Sequence, residues 1–159
     1  MTTWAEFDTA APELAALATE RFASTQLILL GTIRRNGWPR ISPCEYLVVD
    51  GDLYLGMIWR SKKALDLLRE PRCVLHSTTT SKDGDEGDVK VYGRAVDERR
   101  PERRAGARRA AIEAMDFDPE SGGDYHLFRI DITEVGYTNF ADGKLNARTW
   151  RPGPEPAAA

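Results

Sequence analysis

Residues 52–76, DLYLGMIWRSKKALDLLREPRCVLH, change hydrophobic period twice, and that change limits the folds open to the chain. Leu53, Leu55 and Met57 alternate with Tyr54, Gly56 and Ile58, the period of a strand with at least one buried face. After Ser61 the apolar positions become Ala64, Leu65 and Leu68, spaced for one face of a helix that Pro71 must end. A second strand follows through His76. The helix begins among cations, because Arg60, Lys62 and Lys63 surround Ser61, the natural N-cap. A helix N-terminus already carries about half a positive charge, so a lysine there costs roughly 0.3 to 1 kcal/mol. An anion such as phosphate, bound by free N–H groups, the serine hydroxyl and the ammonium groups, would reverse that sign. The alternative is a solvated basic turn paired with Asp66 or Glu70.

The flanking sequence reads as strands joined by short turns. A β-rich run from Leu27 to Ile33 leads to Asn36-Gly37, a strong hairpin signal, and the chain returns through WPRISPCEYLVV to a second tight turn at Asp50-Gly51. Pro39 and Pro43 donate no ladder hydrogen bond, so part of that return strand lies at an edge or a bulge, where main-chain groups can be left free for a ligand. RCVLHSTTT is a strand, and TSKDGDEGD is an acidic loop, mobile or facing solvent. In DVKVYGRAVDE, Val89, Val91 and Gly93 face one way and Lys90, Tyr92 and Arg94 the other. Phe128, Ile130 and Ile132 alternate with Arg129, Asp131 and Thr133 in the clearest half-buried strand, and Asp142-Gly143 turns the chain into KLNARTW.

Helices are expected over residues 12–23, with Leu14, Leu17, Ala18 and Phe22 on one face, and from Pro101 to Met115. Arg103, Arg104, Arg108 and Arg109 recur opposite Ala107, Ala111 and Ile112, which describes a solvated helix face better than a nucleic-acid surface. Six or seven strands and three peripheral helices, with no repeating strand-helix unit, argue against a parallel nucleotide-binding sheet and for an antiparallel barrel.

At 159 residues the chain makes one domain, expected over residues 1–150, with 151–159 a Pro/Ala tail that need not be ordered. No apolar run approaches the roughly 20 residues of a membrane span, and the first residues carry acids rather than a signal pattern, so a cytoplasmic protein is expected. A net charge of −3 gives no general attraction to nucleic acid. Cys44 and Cys73 read as reduced, buried thiols. His76 and His126 are too few for a metal centre and read as strand residues; no metal site is expected, and no catalytic residue stands out.

The series PRISPCEY, LYLGM, SKKALDLLREPRCVLHS, KVYGRAV and FRIDITEV resembles the pyridoxamine 5′-phosphate oxidase-like family of FMN-binding split barrels, particularly small actinobacterial-type members, from about Leu27 to Trp150. The resemblance implies a mainly β fold, a six-stranded antiparallel split barrel, forming a homodimer with the cofactor at the subunit interface. It implies that Ser61, Lys62 and Lys63 hold the cofactor phosphate together with Arg60, and that Arg40 reaches the phosphate or ring. Ile41, Ser42 and Pro43 would run beside the flavin edge, Met57 and Ile58 would line it, Lys90 would contact it, and Trp150 would cover the groove. A chain ending in a Pro/Ala tail without basic substrate-phosphate residues departs from true pyridoxamine phosphate oxidases, so oxidation of vitamin B6 is not expected. The implied function is an FMN-dependent oxidoreductase acting on a small molecule. A deazaflavin coenzyme, held by Arg60, Lys62, Lys63 and Arg94, is the alternative cofactor. A non-enzymatic flavin or haem carrier, with His76 as axial donor, is the alternative class.

Overall fold

The structure, a computed structural model, describes residues 1–153, so residues 154–159 of the expected tail lie outside the described residues. In chain order the elements are α1 (Trp4–Ala10), α2 (Pro12–Ala23), β1 (Ile28–Ile33), β2 (Pro39–Cys44), β3 (Leu47–Val49), β4 (Asp52–Ile58), α3 (Lys62–Arg69), β5 (Arg72–Ser77), β6 (Asp88–Asp97), α4 (Pro101–Met115), β7 (Tyr125–Ala141) and β8 (Lys144–Trp150). The strands form one sheet in the order β2-β1-β5-β6-β7-β4-β3, with β8 also on β7, and every pairing is antiparallel. Strands β2 and β3 lie at opposite ends of this path yet are joined by Glu45 and Tyr46 alone, so the sheet must curl into a barrel. It stays split: no ladder joins its two ends, and Cys44 Sγ lies 3.8 Å from the Gly56 carbonyl across the seam.

The expected antiparallel barrel is therefore present, with eight strands rather than six or seven and four helices rather than three among the described residues. The additional helix, α1, starts in a capping box in which Thr3 accepts from the Glu6 amide and Glu6 accepts from the Thr3 amide. The run after the Asn36-Gly37 hairpin breaks into β2 and β3, and Pro39 and Pro43 sit on the edge strand β2 as their missing donors require. At both Asp50-Gly51 and Asp142-Gly143 the two residues have positive φ, the backbone of a two-residue hairpin turn whose twist matches the strands.

The core fills the barrel and is closed over by the N-terminal helices. Trp4, Phe7, Leu14, Ala18 and Phe22 pack onto Ile28, Leu30, Leu53, Leu55, Leu75, Val91, Phe128 and Ile130. Two expected faces need correction. In α3 it is Ala64 and Leu67 that are buried, while Leu65 and Leu68 are exposed. In β7 the first residues are buried on both faces, because α4 covers the outer one. There Arg129 joins Asp52, Glu98 and Arg103 in a buried ion cluster that fastens α4 to β4, β6 and β7. The acidic loop is also more structured than expected: the Glu86 carboxylate accepts from the Ser81 amide at 2.8 Å, from Thr80 and from Arg21 at 2.8 Å. No described helix is long and apolar enough to cross a membrane.

Candidate cofactor site

Among the described residues no carboxylate pairs with the cationic start of α3. Asp66 is buried and already accepts from Arg40 Nε at 2.6 Å and Thr32 Oγ1 at 3.0 Å, and Glu70 is bound to Arg72 at 2.9 Å. Neither carboxylate pairs with Arg60, Lys62 or Lys63, so the solvated ion-paired turn does not form. The Lys63 ammonium donates to the Pro43 carbonyl at 2.7 Å, which draws β2 toward the helix start. Arg60 takes a left-handed φ of 54° and brings the chain sharply into Ser61. Ser61 occupies the N-cap position without capping: its hydroxyl bonds no helix amide, and Oγ is buried with no partner among the described residues. A buried hydroxyl normally has a partner, so this atom is free to take one from a water or a ligand.

Ser61 and Lys63 open onto a cavity of about 590 Å³, a size usual for small-molecule sites. Pro43, Met57 and Ile58 line it with them, which brings together five of the expected site residues. Its floor is the outer face of β4 and β7 at Gly56, Ile58, Tyr125 and Leu127. Its opposite wall is Ala107, Ala111 and Met115 of α4 with Phe117 and Pro119 beyond it. A Cβ built on Gly56 would meet no atom within 4 Å, so β4 presents bare backbone to open space there. A flat floor, apolar walls and an anion-seeking end suit a planar ring that carries a phosphate.

The other expected residues are placed as follows. Arg60 and Lys62 flank Ser61 in sequence, and neither lines the cavity within this chain. Arg40 reaches α3 through Asp66, Ser42 pairs with Leu30, and Ile41, 72% exposed, stands on the outer face of the edge strand. Lys90 is ion-paired with Asp88 on β6, and the Trp150 ring packs 5.0 Å from Phe7. Neither lines the cavity within this chain. Arg94 on β6 is in register with Arg72, which follows the C-terminal end of α3, and it does not line the cavity.

Sequence reasoning missed Gly56, the α4 wall and Tyr125. The Tyr125 ring lies under the Arg104 guanidinium at 4.3 Å, and its hydroxyl is buried without a partner among the described residues. Burial pushes the phenol pKa up, so it stays a hydrogen-bond donor at neutral pH. His126 is stacked between Trp59, at 4.4 Å, and Phe128, at 5.8 Å; burial lowers its pKa and keeps it neutral. His76 has Nδ1 2.6 Å from the Ser77 carbonyl and Nε2 3.6 Å from Asp88. A second cleft, about 700 Å³, runs along α4 among Arg99, Arg104, Arg108 and Arg109. Its first three arginines are engaged by Asp97, by the Glu98 and Tyr125 carbonyls, and by Asp118 with Glu120, so it is a salt-bridged surface rather than the expected site.

Residues 14–139 match the family described as Pyridoxamine 5'-phosphate oxidase. No curated protein matches the chain significantly. Among solved structures, a heme binding protein from Mycobacterium smegmatis superposes with a TM-score of 0.66 at 22% identity, covering 86% of this chain and 57% of that one. A Clostridium acetobutylicum protein related to general stress protein 26, of the pyridoxinephosphate oxidase family, gives 0.62 at 18%, covering 88% and 94%. The heme storage protein HutZ from Vibrio cholerae gives 0.56 at 16%, covering 77% and 89%. At these identities the likeness is one of fold, and the chain spans little more than half the length of the mycobacterial protein.

Proposed function

The chain belongs to the pyridoxamine 5′-phosphate oxidase family, and from that premise we propose that it is an FMN-dependent oxidoreductase acting on a small molecule other than pyridoxamine phosphate. The observation that carries the reading is the unpartnered, buried Ser61 hydroxyl at the cationic start of α3, opening onto a cavity of about 590 Å³. Ser61 and Lys63, with Arg60 and Lys62 beside them, hold the phosphate. The Pro43 carbonyl fixes the Lys63 ammonium, and Asp66 fixes Arg40 of β2 against α3. Met57, Ile58 and the bare Gly56 backbone accept the ring and exclude water from it. The flavin, when bound, supplies hydride transfer. A second copy of the chain completes the site: Ile58 lines it and is exposed, Ile41 is exposed on the edge strand β2, and Ile41, Ser42, Lys90 and Trp150 contribute to the shared groove rather than to the cavity of one chain.

Deazaflavin binding shares the phosphate end but needs a further basic track, for which Arg94, in register with Arg72 past the other end of α3, is the candidate. Haem held through His76 needs a free axial donor there, and both His76 ring nitrogens already face partners.

An absorption spectrum of the purified protein, with the mass of any small molecule released on denaturation, tests the reading. Released FMN supports it. Released deazaflavin moves the chemistry to that coenzyme, and a Soret band lost in His76→Ala moves it to haem carriage. A colourless protein that binds no flavin on titration overturns it.

A further inference from the structure

The cavity holds a second orphan polar atom that the cofactor phosphate does not use. Tyr125 is only 7% exposed, lines the cavity, and its hydroxyl has no partner among the described residues. A buried hydroxyl left unpaired is costly, so it is available to an acceptor that a ligand brings. Arg104 holds the ring in place from outside: the guanidinium lies over it and donates to the Tyr125 carbonyl at 3.2 Å. With Tyr125 the cavity is lined by the apolar Leu127, Met115 and Phe117, and apart from Lys63 no lysine or arginine lines it. The other charged lining groups are the carboxylates Glu45 and Asp124. A second anion there would lose its hydration and face like charge.

Resting on the flavin reading above, we infer that the substrate of this site is a neutral, largely apolar ring compound with a carbonyl-type acceptor, and that Tyr125 Oη donates a hydrogen bond to that acceptor. The apolar walls take the ring, and the tyrosine sets its orientation. Phosphorylated or sulfonated analogues are excluded by the carboxylates and by the cations being held at the other end.

The test is calorimetric titration of the full chain, saturated with oxidised FMN, with three probes: 2-methyl-1,4-naphthoquinone, 2-methylnaphthalene and 1,4-naphthoquinone-2-sulfonate. The neutral quinone is expected to bind about fivefold more tightly than the hydrocarbon, the worth of one neutral hydrogen bond, and more tightly than the sulfonate. In Tyr125→Phe the quinone falls to the affinity of the hydrocarbon, while hydrocarbon and FMN affinities stay as they were; the retained hydrocarbon binding shows that the cavity is intact. Equal quinone affinity in Tyr125→Phe, a preference for the sulfonate, or loss of FMN instead of quinone binding overturns the inference and leaves the flavin reading standing. If wild-type protein binds no FMN, the flavin reading fails; the quinone and hydrocarbon titrations on the protein alone then decide this inference by the same dependence on Tyr125.

Discussion

Asp66 is the residue whose loss the fold is expected to register most directly at the site. It is 7% exposed, and its Oδ2 accepts from Arg40 Nε on β2 at 2.6 Å and from Thr32 Oγ1 on β1 at 3.0 Å, with Arg69 Nη2 4.0 Å from the other oxygen. One carboxylate thus ties two strands to α3. Breaking a fully buried pair costs about 3–5 kcal/mol. Here the Arg40 side chain keeps 24% exposure, so water partly replaces the lost partner, and in Asp66→Asn the amide oxygen still accepts from Thr32. The expected cost is about 2 kcal/mol. With a urea dependence of about 2 kcal/mol per molar, the unfolding midpoint falls by about 1 M. Arg40→Gln is expected to cost less, and the double variant to show a coupling of about 1 kcal/mol because the two groups act through one contact. A midpoint shift below about 0.2 M, or additive single costs, would refute the argument that this pair locks β2 to α3.

Glu86 should control the loop before β6 in a pH-dependent way. Hydrogen bonds from the Ser81 and Thr80 amides, from the Thr80 hydroxyl and from Arg21 hold its carboxyl at about 2, below the ordinary value near ~4.3. The tether is therefore complete above about pH 4.3 and is lost as pH falls toward about 2, and hydrogen-exchange protection at Thr80 and Ser81 should follow that fall. In Glu86→Gln protection should be low at every pH, and unchanged protection would contradict the tether. Two glycines should behave oppositely. A Cβ on Gly93 would meet the Asp131 carbonyl oxygen at 2.6 Å, so Gly93→Ala should cost about 1–3 kcal/mol in a denaturation curve. Gly56 faces open space, so Gly56→Val should change stability by less than about 0.5 kcal/mol while lowering flavin affinity at least about tenfold, and unaltered affinity would remove the ring from that floor.

The strand alternation at Leu53, Leu55 and Met57 was legible because a period of two needs only neighbours in sequence, and the edge position of β2 because proline carries its own restriction. The cationic N-cap was legible as an electrostatic conflict within four residues. The unread features depend on distant partners. Leu65 and Leu68 looked like the buried face of α3, but Ala64 and Leu67 meet the core, a choice made by where the barrel lies. Asp52 and Arg129 are far apart in sequence, so their pairing was invisible, and β7 was read as half-buried because α4 was not yet over it. The helix α1, whose Phe7 packs against Trp150, was missed although Thr3 and Glu6 carry the capping-box spacing. Tyr125 gave no local signal at all, since being unpartnered is a property of its surroundings.

The central claim is that the α3 start recognises a cofactor phosphate, and the most direct measurement compares FMN with riboflavin, which lacks it. Wild-type protein is expected to bind FMN at least about 100-fold more tightly, the worth of two charge-assisted hydrogen bonds. The variant with Ser61→Ala and Lys63→Ala should bind both flavins with the weak affinity that riboflavin has for the wild type. Equal affinities in the wild type, or an FMN preference that survives the double substitution, would contradict the account.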